Sequence, residues 1–151
     1  MADLMQWSDV ETAWATRALE RPEPAFESLA AAVARYRLRP AETAAPDERI
    51  RHLAEAAAKE CAPGVWQYAL DRRVFAHARP DAWPILPGVL CPALVVRGAG
   101  SPIMDKQSWL RAATTVQRGQ FAEIRGAYHR LILDDPPQFV SVVDRWLAGV
   151  R

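Results

Sequence analysis

Cysteine is scarce in this sequence. Only Cys61 and Cys91 occur in 151 residues, and they match neither a disulfide framework nor the ligand spacing of a zinc site. So few thiols point to a reducing cytoplasm as the expected compartment. Net charge is nearly absent as well: 19 basic side chains against 18 acidic ones leave +1, and no stretch gathers the basic residues into a stripe. That balance argues against nucleic acid or an anionic membrane as a partner. Long apolar runs are missing too. Nothing approaches the roughly 18 residues that suggest a membrane span. Met1 to Trp7 carries neither the basic run nor the apolar core of a secretory signal, so none is expected. The three histidines, His52, His77 and His129, have no metal-ligand spacing, and neither a metal nor another cofactor is expected.

What is present is a chain of one domain's length, able to bury roughly 68–70% of its unfolded surface. Twelve prolines cut it into short elements, and six tryptophans serve as core or interface anchors. Ser8-Asp9-Val10-Glu11 reads as a capping box opening a helix toward Leu19. Phe26 to Arg37 is a second helical stretch, with Phe26, Leu29, Ala30, Val33 and Tyr36 on one face. After the loop Arg39 to Pro46, Asp47 is expected to cap a third helix reaching about Glu60. Pro63-Gly64 turns the chain into a short extended run, Val65 to Tyr68. From Arg79 to Pro92 the prolines forbid a continuous helix, so this stretch is a connector.

The texture changes at Cys91. Ala93-Leu94-Val95-Val96, bounded by Pro92 and Gly98, suits a strand covered on both faces. A Gly-rich turn, a helix around Lys106 to Thr115 and a second strand at Phe121 to Ile124 follow. Gly126 to His129 is a loop. The last helix has Asp135 as its cap and Pro136 first, with Phe139, Val143, Trp146 and Leu147 on the buried stripe. Strand, helix, strand, helix with short turns is the signature of parallel α/β architecture.

The run Ile124-Arg125-Gly126-Ala127-Tyr128-His129-Arg130-Leu131-Ile132-Leu133-Asp134-Asp135-Pro136-Pro137-Gln138-Phe139-Val140 resembles the histidine loop and final helix of the α/β-hydrolase superfamily. Cys91 to Gly98 resembles that family's penultimate strand, and Ala34 to Pro40 with Arg51-His52 and Gly64 to Tyr68 is similar to the helical cap of an esterase-like branch. The resemblance implies a partial α/β-hydrolase fold: residues 1–5 as a strand of the core, 6–80 as a helical cap and 81–151 as the C-terminal core segment. It also implies that His129 is the general base of a Ser-His-acid triad, and that the chain begins in the middle of a domain.

The nucleophile does not follow. None of Ser8, Ser28, Ser101, Ser108 and Ser141 lies in the Gly-x-Ser-x-Gly elbow, and neither cysteine has the elbow's glycines. In the turn where the family usually places its acid stands Ser101, which cannot carry the charge that stabilises an imidazolium. Two substitutes stay open. Asp105 lies a few residues on and can equally be a helix cap. Asp3 matches the variant in which the acid follows the strand before the cap. His52 reads as a surface or cap-packing residue, and His77 as a loop residue.

The expectation is a truncated or split hydrolase. Completed by a partner chain bearing the nucleophile half, it would cleave a small ester or amide, with a small hydrophobic substrate under the cap. Otherwise it is a non-catalytic interaction module or a degenerate remnant. Homo-oligomerisation is expected if no such partner covers the interrupted sheet.

Overall fold

The structure, a computed structural model, describes residues 16, 17, 19–76 and 81–150. The strand expected at Met1 to Met5 and the capping box at Ser8 to Glu11 lie outside the described residues; Thr16, Arg17, Leu19 and Glu20 are helical. The described chain forms two compact units. One comprises residues 16–38 and 46–76, the other Arg39–Ala45 and residues 81–150.

In the first unit, α1 spans Leu29–Arg35 because Ser28 caps it, its Oγ accepting the Ala31 amide at 3.1 Å. Phe26 lies before this cap rather than on the helix. Its N–H and C=O both pair with Trp66 at 2.8 Å, so the residue joins a sheet. Helix α2 covers Asp47–Ala57, with Pro46 as N-cap; Asp47 is therefore the first helical residue, where its charge still complements the helix dipole. The helix stops short of Glu60. Ala58–Ala62 leaves as β1 and pairs antiparallel with β2, Val65–Tyr68, across a turn in which Gly64 has φ +70. Cross-strand pairing here overrides the helix propensity of Ala58, Lys59 and Glu60. Tyr68 organises what is buried: its hydroxyl donates to the Ala32 carbonyl at 2.8 Å, and its ring meets Phe26 at 5.2 Å and Tyr36 at 5.7 Å.

In the second unit, β3 (Ala93–Gly98) and β4 (Gly119–Ile124) pair in parallel through α3, Lys106–Thr115. Trp109 anchors the crossover. It is buried, its Nε1 donates to the Val95 carbonyl at 2.9 Å, and its ring meets Phe121 edge-on at 5.4 Å. In the proline-rich connector a short 3-10 turn, Leu86–Gly88, forms, and buried Trp83 carries the Arg111 guanidinium 3.9 Å above its ring. A single turn, α4 (Leu131–Asp134), precedes α5, Pro136–Gly149, which Asp135 caps by accepting the Gln138 amide at 3.0 Å.

The core of this unit is Ile124, Ala127 and Val142, flanked by Leu94, Val96, Ala122, Leu131 and Phe139. The stripe on α5 departs from the sequence pattern. Val142 is the buried residue, Phe139, Val143 and Trp146 are half-buried, and Leu147 is exposed. Among the described residues this sheet has two strands. Strands lie roughly 4.8 Å apart, so a pair is too narrow to cover a full helix face. For the same reason β3 is half-buried over Ala93 to Val96 instead of closed on both faces.

Ile124 is fully buried at the centre of this core. Ile124→Ala should lower unfolding stability by about 2–5 kcal/mol, measured by urea denaturation. A loss below about 1 kcal/mol would place the centre of the core elsewhere.

Candidate active site

The parallel register ends β3 at Gly98 and β4 at Ile124, directly opposite each other. The two following loops therefore emerge side by side at the carboxyl ends of the strands, where α/β folds hold their ligands. Backbone hydrogen bonds join them: the Ala99 amide donates to the Ile124 carbonyl and the Gly100 amide to the Ala127 carbonyl, both at 2.9 Å. Only glycine fits at position 98, because a Cβ there would stand 2.0 Å from the Tyr128 carbonyl oxygen.

The turn after β3 is closed by its own polar groups. Ser101 is buried, its amide donating to the Gly98 carbonyl at 3.0 Å and its Oγ accepting the Met104 amide at 3.2 Å. Arg97, also buried, reaches the same turn: its Nε donates to the Met104 carbonyl at 2.6 Å and its Nη1 pairs with Glu123 at 2.5 Å.

His129 lies on the adjoining loop between β4 and α4, with an exposed imidazole. Partial desolvation, followed by the positive charge of Arg130, lowers its pKa below the usual 6.5. That favours the neutral form a general base needs. Among the described residues no hydrogen bond is made to the imidazole. Asp105 is committed to α3, its Oδ1 accepting the Ser108 amide at 2.8 Å and its Oδ2 the Ser108 hydroxyl at 3.1 Å. The Ser108 amide is the main cause of its lowered pKa. Asp3 and His77 lie outside the described residues; His52 is exposed on α2.

Asp134 is the residue that the sequence reading passed over. Its Oδ2 accepts the Tyr128 amide at 2.6 Å, and its Oδ1 accepts the Thr43 hydroxyl at 2.5 Å and the Ala44 amide at 2.8 Å. The signal for it was the pair Asp134-Asp135 ahead of Pro136: one carboxylate caps the helix, which leaves the other for a second task.

Within the first unit, the more helical of the two, lies an open cavity of about 460 Å³ whose lining includes Leu19, Arg21, Lys59, Leu70 and Arg72. Arg72 faces Glu23 there at 3.7 Å. Among the described residues no three His, Cys, Asp or Glu side chains gather as a metal site, and no helix is long and apolar enough to cross a membrane. Both cysteines are free and exposed.

Gly98→Ala should push the Tyr128 carbonyl away. The expected result is a loss of about 1–3 kcal/mol by denaturation, with amide chemical-shift changes concentrated at residues 98–100 and 126–130. Unchanged shifts in that loop would mean that the close approach is not maintained in solution.

No family model matches the sequence, and no curated protein matches it significantly. Solved structures do. E-2-(acetamidomethylene)succinate hydrolase superposes with a TM-score of 0.72 at 20% identity, over 95% of this chain and 54% of that one. An esterase of M. tuberculosis gives 0.75 at 18% identity, over 93% and 48%. The thioesterase domain of the curacin biosynthetic pathway gives 0.64 at 19% identity, over 91% and 52%. The chain spans about half the length of these structures. It therefore has part of the α/β-hydrolase fold.

Proposed function

We propose that this chain supplies the histidine and the cap of a serine-hydrolase-type site that transfers the acyl group of a small ester or amide to water. The observation that carries the reading is the position of His129, beyond a parallel strand's carboxyl end and beside the turn that follows β3. No serine of residues 1–151 lies in an elbow, so the nucleophile would come from outside these residues. In such a site His129 takes the serine proton as Oγ attacks the acyl carbon, then returns it to the leaving group. Either Asp3 or Asp105 would orient the imidazole. Asp105 already accepts two hydrogen bonds as the cap of α3, which favours Asp3. The substrate would be small and apolar. The two free, exposed cysteines suit a cytoplasmic setting.

A second reading, a non-catalytic interaction module, is favoured by the apolar side chains left open on the strand-bearing unit. Phe121 on β4 and Val140 and Leu147 on α5 are 53–56% exposed. Such a surface, beside a sheet with two strands among the described residues, recruits other chains, a second copy of this one among them.

The chain alone should hydrolyse p-nitrophenyl acetate no faster than its His129→Ala variant. With an elbow-bearing partner half added in trans, activity should appear and fall by at least about a hundredfold on His129→Ala. His52→Ala should leave it unchanged; dependence on His52 instead of His129 would overturn the assignment. For the second reading, light scattering over a dilution series should show self-association, and a monomer at every concentration would count against it.

A further inference from the structure

The loop that carries His129 is fixed by neighbours on both of its sides, and a single carboxylate does most of that work. Tyr128 donates its backbone amide to Asp134 Oδ2, while Arg130 donates through Nη2 to the Arg39 carbonyl. The other oxygen of Asp134 collects the Thr43 hydroxyl and the Ala44 amide, and Thr43 in turn accepts the Ala45 amide at 3.1 Å. Arg39–Ala45 belongs to the strand-bearing unit, although the residues flanking it in sequence belong to the helical one. A carboxylate oxygen is suited to this junction, because each one accepts from more than one donor and charge-assisted bonds are the stronger kind. Partial burial pushes the Asp134 pKa upward, but the bonds from Thr43, Tyr128, Ala44 and Ala45 outweigh it, so the carboxylate stays ionised well below neutral pH.

We infer that Asp134 is a positioning residue for His129, fixing the backbone at Tyr128 through one oxygen and tying it to Thr43 and Ala44 through the other. Asp135, the next residue, does not share the task, since its carboxylate caps α5. In Asp134→Asn one acceptor oxygen becomes a donor, which then faces either the Tyr128 amide or the Thr43 and Ala44 pair. The bridge from Tyr128 through residue 134 to Thr43 and Ala44 is then broken on one side. The consequence for catalysis rests on the reading of His129 as the general base; the consequence for the loop does not.

The test uses the full chain and needs no substrate. In Asp134→Asn, hydrogen exchange at the Tyr128 amide should rise at least about tenfold. The His129 titration, followed by its ring resonances, should move upward toward about 6.5 as the loop opens to water. Asp134→Glu, which keeps the carboxylate, should recover part of both. If Asp134→Asn does not fold, Thr43→Val removes one donor without changing charge, and a smaller rise in Tyr128 exchange is expected. A folded variant in which Tyr128 exchange and the His129 titration are both unchanged overturns the inference. In a complemented enzyme, Asp134→Asn should lower kcat more than it raises KM. If exchange and titration respond while activity is indifferent to His129, the functional reading fails and the positioning role stands.

Discussion

The placement of His129 depends on the parallel ladder between β3 and β4. Its register, Ala93 with Gly119 through Gly98 with Ile124, ends both strands at the same level. A one-residue slip would turn the core-facing side chains to the opposite face and part the two loops that emerge together. The ladder continues past the strands as the bonds from Ala99 to Ile124 and from Gly100 to Ala127. The histidine loop is thus an extension of the sheet, with a backbone path set before any side chain is considered.

Charge is placed to reinforce that path. Arg97 is buried and would be costly there alone; Glu123 on the neighbouring strand and the Met104 carbonyl answer it. The pair binds the end of β3 to β4 and to the turn carrying Ser101. Asp134 does the corresponding work across the other loop. Charged side chains tie down both loops, and His129 is not among them.

The fold was legible where local and tertiary preferences agree. The β-branched run between Pro92 and Gly98 became β3, and Asp135 with Pro136 opened the last helix. It was illegible where they conflict: Ala58, Lys59 and Glu60 are helix formers that the hairpin drew into a strand. The apolar stripe of α5 was misplaced because periodicity cannot say how wide a sheet the helix covers. For the site, the position of His129 followed from the strand–loop–helix order, and the role proposed for it comes only from resemblance. Asp134 was hidden because its partners, Thr43 and Ala44, are remote in sequence, and nothing short-range reports such a bond.

That remoteness bears on how the chain comes to be folded. Thr43 and Asp134 are separated by 91 positions, so Arg39–Ala45 leaves the ribosome long before the carboxylate that holds it. Among the described residues the strand-bearing unit is also assembled from two stretches, with much of the helical unit between them in sequence. Contacts of such long range are closed late, after the entropy of a large loop has been lost, and they slow folding relative to local contacts. The helical unit can settle while synthesis continues. The histidine loop takes its shape only once the last helices have been made.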